Sequence, residues 1–502
     1  MSGNNDFFLK FMEPFFSGII NLFKEIGLSL FQIFNVLNYI EVIKEYYKDI
    51  TGAGIVMIVL ASLSLLLLFG LFFFLIYRLI VGYFKYRHRA SHQQALVEEI
   101  DNLNNEVIKL KSENQKYLAM SDPENGEVEY DENGNIVNKL KEGESRFFKL
   151  SQVDESMENY EPEPYDASIT LSELCDRFLN FAASEMGLYY NINLIRLFIA
   201  SFASNRLIIL QGISGTGKTS LAYAFGNFVK NDAVIAPVQP SWRDSSELFG
   251  YFNEFTKRFN ETEVLTKMYE ARYKDNIYIT LLDEMNISRV EYYFAEMLSI
   301  LELPSAEEWI IDLVPNAWES DPKLVENGRL KIPTNMWYIG TINNDDSTFM
   351  ITDKVYDRAM PINIDEKGRP FEAPKTEAIN LSSTYFSTIL KQAQTDYPVS
   401  QENLDKISLM DDYVIEKFRL AFGNRIVKQL KEFVPAYVAC GGEEIVAIDY
   451  LIAHKILRKF DQLNLAYIRN EIDGFIDFLN KTFGEGAMKE CIAYLERLKK
   501  TI

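Results

Sequence analysis

Residues 207–219 read LIILQGISGTGKT, an apolar run that enters Gly212, passes four residues and reaches Gly217, Lys218 and Thr219. The pattern predicts a short strand, a glycine-rich loop and the start of a helix, the setting a phosphate-binding loop requires. Glycines let main-chain N–H groups close around an anion without Cβ clashes, and the helix that follows turns its positive N-terminus to the same anion. Gly212, Ile213, Ser214, Gly215, Thr216 and Gly217 are thus expected to wrap the phosphates, with Lys218, Thr219 and Ser220 opening the helix. Lys218 is placed to reach the β- and γ-phosphates, and the Thr219 hydroxyl to bind Mg²⁺. From average residue usage, such a match arises by chance in about one or two chains in a hundred of this length, and the strand before it lowers that figure.

Two further strands point to the same chemistry. IYITLLDEMN (277–286) is an apolar strand that finishes in Asp283 and Glu284, and two carboxylates at the end of a buried strand need a charge-based explanation. Asp283 is read as a Mg²⁺ residue acting through the ion's water shell, and Glu284 as the group that orients and polarises the attacking water. MWYIGTIN (336–343) ends in Asn343, followed by Asn344, Asp345 and Asp346. An amide at a strand tip beside the γ-phosphate positions water without adding negative charge, although Asn and Asp also crowd ordinary turns. In DKVYDRAM (353–360), Arg358 falls on a helix that is either turned to a neighbouring subunit or paired with Asp357 at the surface. In the first case it stabilises charge developing on the transferred phosphoryl group.

From residue 168 onward, short β-rich runs alternate with helical stretches, which predicts an α/β NTPase core with a mostly parallel sheet over 168–365. Segments such as DDYVIEKFRLAF and IDYLIAHKILRKFDQLNL lack the strand signal, so 366–502 is read as a helical lid with C-terminal helices. A chain of 502 residues, 48% hydrophobic, accommodates two or three folded units. Its net charge of −21 disfavours non-specific binding to phosphate backbones. The three cysteines, Cys175, Cys440 and Cys491, have neither CxxC spacing nor nearby histidines, which argues against a disulfide framework or a zinc site.

Before the core, no charged residue occurs from Ile50 to Tyr77, and a transmembrane helix is expected over 50–84. Arg78, Lys85, Arg87 and Arg89 follow it, so the expected location is a single-pass protein of a prokaryotic cell membrane with the NTPase domain in the cytoplasm. Residues 1–49 are read as an amphipathic extracytoplasmic segment, either an interfacial helix or a small helical hairpin. Gln93, Leu96, Ile100, Leu103, Val107, Leu110, Asn114 and Tyr117 alternate at spacings of three and four, a seam that predicts a short coiled coil over 90–120, or one amphipathic helix packed on its own domain. Residues 121–167 are acidic and rich in Pro, Gly and Asn, and are read as a linker with a small hairpin at the Asn-Gly of DENGN (131–135).

Taken together, the phosphate loop, LLDEMNISRVEYYFAEMLSILE, GTINNDDST and DKVYDRA resemble the AAA+ superfamily, most closely the dynein-related branch that contains the GTPase subunit of McrBC methylation-dependent restriction systems. The resemblance covers roughly residues 170–465. It gives Asn343 the first-sensor role, Asp346 the second polar position of an Asn-x-x-Asp element, Arg358 the trans-acting role, and Arg425 in FGNRIVKQL the place of a second sensor from the lid. It also makes VQPSWRDSSELFGYF a segment where pore-facing or neighbour-contacting residues occur, which points to Trp242 and Arg243. The element here reads Asn-Asn-Asp-Asp, where the restriction enzyme has Asn-Thr-Ala-Asp, and this departure favours ATP over GTP. The resemblance implies a ring, hexameric or similar, a partner such as a nuclease subunit, and a role in defence; direct nucleic-acid binding is left open. The alternative is a nucleotide-switched membrane scaffold with slow turnover.

Overall fold

The structure, a computed structural model, describes residues 143–500 apart from Phe255, residues 344–347 and Asn464, together with residues 35–45 and scattered earlier positions. The chain divides into two compact units, Met1–Glu127 and Val128–Ile502. In the first, α1 (Val36–Glu45) is a ten-residue helix. The coiled coil expected over 90–120, the hairpin at 131–135 and most of the amphipathic segment 1–49 lie outside the described residues.

The expected transmembrane helix requires correction. Among the described residues no helix is long and apolar enough to cross a membrane. Helices of sufficient length are charged: α8 (Gln401–Phe418) carries Glu402, Asp405 and Lys406 in its first half, and α11 (Leu465–Phe483) carries Arg469, Glu471, Asp473, Asp477 and Lys481. Each such group is costly in hydrocarbon. Most of residues 50–84 lie outside the described positions, and the transmembrane element is not retained as part of the fold. The single-pass cell-membrane location with a cytoplasmic NTPase domain, which depended on that helix, falls with it.

The second unit is α/β. Its five-stranded parallel sheet comprises β1 (Leu207–Gly212), β2 (Val234–Pro237), β5 (Tyr278–Asp283), β9 (Met336–Asn343) and β10 (Ala359–Asn363), in the order β10-β1-β9-β5-β2. The central strands are nearly continuous apolar runs because helices cover both faces, as parallel sheets demand. Register aligns their C-terminal ends: Gly212 lies opposite Asn343, and Leu282 opposite Gly340. Loop, carboxylates and amide therefore converge on one edge of the sheet, and chain direction alone brings them there. Two small antiparallel pieces are appended, the hairpin of β3 (Gly250–Asn253) with β4 (Arg258–Glu261), and a sheet of β6 (Ile310–Asp312), β7 (Val325–Glu326) and β8 (Arg329–Lys331).

One face of the sheet is covered by α3 (Leu171–Met186), α4 (Ile192–Ser204) and α5 (Lys218–Phe228). Thr170 caps α3 by accepting the N–H of Glu173, and Gly187 ends it in the left-handed conformation at φ 65°. Behind the phosphate loop, Phe178, Phe198, Phe202, Phe225, Phe228 and Trp337 form a continuous aromatic cluster with centroid separations of 5.2 to 6.5 Å. The edge-on pairs among them, Phe178–Phe225, Phe198–Phe202 and Phe198–Phe225, add roughly 0.5–1.5 kcal/mol each beyond area burial.

The opposite face packs against α6 (Glu263–Glu270), several one-turn helices, and α2 (Phe148–Met157). Within the stretch read as an acidic linker, the segment around α2 is packed, with Phe147, Leu150 and Val153 in the core and Arg146 in a buried pair with Asp321 at 2.7 Å, while residues 161–164 are exposed. After β10 every element is helical: α7 (Ser383–Asp396), α8, α9 (Asn424–Ala439), α10 (Glu444–Lys455), a 3₁₀ turn Leu457–Gln462, α11 and α12 (Lys489–Lys500). They share the α3–α5 core, α9 lying along α4.

Candidate functional site

Strand β1 delivers Gly212 to the sheet edge at φ 140°, and a Cβ there would overlap the carbonyl of Ile364. Only glycine fits this approach. Gly215 (φ 78°) and Gly217 (φ 88°) complete the loop in left-handed conformations, and Gly217 stands at the N-cap of α5. Tyr190 donates its hydroxyl to the Gly217 carbonyl at 3.1 Å, and Thr216 donates to Ile213 O at 3.0 Å. Ile213, Ser214 and Gly215 form the exposed rim, while Ser220 is half-buried in the first turn of the helix. Lys218 is buried and its Nζ donates to Gly212 O at 3.1 Å and Ile213 O at 2.7 Å, which folds the ammonium across the mouth of the loop.

At the end of β5, Asp283 meets this loop directly. Thr219 Oγ1 donates to Asp283 Oδ1 at 2.8 Å. Hydroxyl and carboxylate oxygens stand side by side from a helix start and a strand end, the hard donors that Mg²⁺ takes, so the residues present fit that ion.

The adjacent Glu284 is half a turn out of the strand, at φ 52° and ψ 47°, a left-handed conformation that in a non-glycine residue costs roughly 1–3 kcal/mol. Two contacts hold it. Its N–H donates to Thr341 Oγ1 at 2.8 Å, and Met285 beyond it is wholly buried against Gly340, where any Cβ would overlap the thioether. The Thr341 hydroxyl in turn donates to Asp283 Oδ1 at 2.7 Å. One buried hydroxyl thereby orients the Asp283 carboxylate and anchors the Glu284 main chain. The Glu284 side chain is exposed at the edge, and Asn343 Nδ2 lies 3.4 Å from its Oε1. Asn286, buried beneath, donates to Asn343 O at 3.1 Å and Thr348 Oγ1 at 2.9 Å, fixing the strand tip. Asp346 lies outside the described residues.

Arg358 is elsewhere. It precedes β10, whose first residue Ala359 lies opposite Leu207, so the length of β1, about 17 Å at 3.3 Å per residue, separates it from Gly212. Its Nε lies 2.6 Å from Glu302 Oε2, and Arg425 Nη2 lies 2.6 Å from the other oxygen of the same carboxylate. The first contact is ionic and lacks hydrogen-bond alignment. The two arginines singled out in the sequence are thus brought together with each other, and neither is brought to its own chain's phosphate loop. Trp242 is core, its indole edge-on to Tyr293 at 5.1 Å, and Arg243 beside it is exposed.

Beside Gly212 and Asn343 opens a cavity of about 360 Å³ whose helical wall carries His454, Arg458, Tyr494 and Arg497. Sequence reasoning missed these residues, as it missed Thr341 and Glu302. Thr341 carried a signal: two residues before Asn343 on a strand, it points to the same face. Nothing in SILELP distinguishes Glu302.

No family model and no curated protein matches the chain. Among solved structures it is similar to one described as SCCmec type IV Cch, active helicase, at 15% identity and a TM-score of 0.28 over 66% of this chain and 61% of that one. It is also similar to a full-length MCM homolog from Methanopyrus kandleri, at 11% identity and a TM-score of 0.32 over 58% and 62%. The chain spans about three fifths of the length of either.

Proposed function

We propose that the chain is a P-loop nucleoside triphosphatase of AAA+ type that binds ATP, with GTP as the other candidate, together with Mg²⁺. The observation that carries this reading is the Thr219–Asp283 contact at the mouth of a loop whose three glycines all have positive φ. In this reading the main-chain N–H groups from Gly215 to Thr219 bind the phosphates, and Lys218 leaves its loop carbonyls for the β- and γ-oxygens. Mg²⁺, when bound, neutralises charge on the phosphate oxygens. Thr219 and Asp283 hold it, Glu284 takes a proton from the attacking water, and Asn343 orients that water and the Glu284 carboxylate. Arg358 supports this chemistry in the neighbouring subunit of a ring, since within its own chain it stands at the wrong end of the sheet. McrB-like relationship, a nuclease or other effector partner, and a defence role remain part of this proposal through the sequence resemblance alone.

The deciding experiment is calorimetry on residues 128–502 with each purine triphosphate and Mg²⁺. Micromolar binding of one is expected, and absence of binding by both overturns the reading. A second reading, a nucleotide-switched scaffold with slow turnover, is favoured by the Arg358–Glu302 pair, which keeps the trans-acting arginine occupied. Turnover that stays slow when a ring has assembled on nucleotide selects it.

A further inference from the structure

The segment that ends in Arg358 is gripped by side chains from the C-terminal helices. Lys455 of α10 is 4% exposed, and its Nζ donates to three carbonyls, those of Tyr356 at 2.7 Å, Asp357 at 3.2 Å and Ala359 at 2.6 Å. Gln429 of α9 donates to the same Asp357 carbonyl at 3.2 Å. From the 3₁₀ turn after α10, Arg458 pairs with Asp353 at 2.9 Å and lies over the Tyr356 ring, and Lys459 pairs with the Asp357 carboxylate at 2.9 Å. Glu302 takes the guanidinium of Arg358 on one oxygen and that of Arg425, from α9, on the other.

Burying a lysine head group is unfavourable unless its donors are satisfied, and three carbonyls stand within hydrogen-bond distance of Nζ. Those carbonyls flank Arg358 on both sides, so the lysine fixes where the Arg358 backbone lies, while Asn205 donates to the Arg358 carbonyl from the sheet side at 2.9 Å. The side chain itself is 17% exposed and held by Glu302. Such a grip has no evident purpose for a surface arginine, but it suits one whose guanidinium must be delivered to a point outside its own chain.

We propose that the C-terminal helices position Arg358 for the neighbouring subunit's nucleotide, Lys455 fixing its backbone and Glu302 restraining its guanidinium until that nucleotide's phosphate replaces the carboxylate. This rests on the reading of Arg358 as a trans-acting arginine. Its consequence is that a shift of α9 or α10 in one subunit alters hydrolysis at the next subunit's site.

The test uses the full chain. Lys455→Met is expected to lower kcat at least about tenfold with nucleotide affinity within about threefold of wild type, as for loss of a trans-acting arginine. Mixing it with Glu284→Gln subunits, themselves inactive but carrying an intact arginine segment, is expected to restore turnover. Glu302→Gln, which keeps the side chain's shape, is expected to raise basal turnover at unchanged affinity. Wild-type kcat in Lys455→Met, loss of turnover that mixing does not restore, or turnover at or below wild type in Glu302→Gln overturns the proposal; if Lys455→Met does not fold, Glu302→Gln decides. Arg358→Ala with wild-type turnover, or a wild-type chain that hydrolyses no nucleotide, would instead remove the reading beneath it.

Discussion

Thr219 and Asp283, 64 residues apart, meet at 2.8 Å between the start of α5 and the end of β5. The contact ties the glycine-rich loop and the helix that follows it to the strand that supplies the carboxylates. Thr219→Ala is therefore expected to weaken nucleotide binding about tenfold or more in Mg²⁺ and to leave binding in EDTA unchanged, since only the ion's ligand is lost. Calorimetry under both conditions checks this, and equal weakening in both would make the threonine structural.

Glu284 is exposed at the edge and held out of the strand, and in the proposed reading it takes the proton of the attacking water. Glu284→Gln should bind nucleotide as tightly as wild type while turnover falls about a hundredfold or more. Equilibrium binding with steady-state phosphate release measures both, and normal release would strip Glu284 of its role.

Thr341 donates to Asp283 and accepts from the Glu284 N–H. Thr341→Val keeps the volume but leaves a buried N–H unpaired, so kcat is expected to fall at least about tenfold with KM little changed, together with a loss of about 1–3 kcal/mol of stability. Thr341→Ser retains the hydroxyl and should recover most of kcat. A serine variant as impaired as the valine one would assign the effect to the methyl group's packing.

How much of this was legible beforehand depends on whether the signal was local. The loop at Gly212–Thr219 and the strand ending in Asp283 and Glu284 could be read because glycine, lysine and carboxylates at fixed spacing have one chemical use in common. Thr341 was hidden because a buried threonine in a β-strand is ordinary until its partners are known. The resemblance gives Arg425 the place of a second sensor from the lid, yet it shares Glu302 with Arg358, a contact between residues more than 120 positions apart that no pattern announces. The apolar run from Ile50 implies a span through its length, lack of charge and basic flank, and no described helix supports that span.

Gly212 approaches Ile364 too closely for any side chain. Gly212→Ala is expected to lower unfolding stability by about 2–4 kcal/mol through strain at positive φ and displacement of β10, and to abolish nucleotide binding. Denaturant unfolding of residues 128–502 reads the first effect; a variant of wild-type stability would mean the strand edges separate freely.

Burial pushes the Lys455 ammonium down to about 7; Asp357 opposes this, while Lys459, Arg425 and Arg458 add to it. An unfolded lysine titrates near about 10.4, so above pH 7 the unfolded chain keeps a proton that the folded chain has released. Stability from this group therefore rises with pH from about 7 to about 10, by up to about 1.4 kcal/mol per unit, and is flat below 7 where both states are protonated. Cys175 and Cys491, raised by burial, act in the opposite sense above about pH 8.5 but are common to both proteins. Thermal unfolding of wild type and Lys455→Met at pH 6.5, 7.5 and 8.5, as rough steps through this window, should show the slope only in wild type.

Arg358 stands just before β10 and Gly212 at the far end of β1, so the proposed trans-acting arginine and the loop proposed to receive it lie at opposite ends of the sheet. Two copies related by a dyad set like against like, whereas a head-to-tail contact joins unlike edges and repeats until rotation closes it or a helical filament grows. If the proposed ring forms, the angle turned per copy, and no residue of the loop itself, sets how many sites it holds.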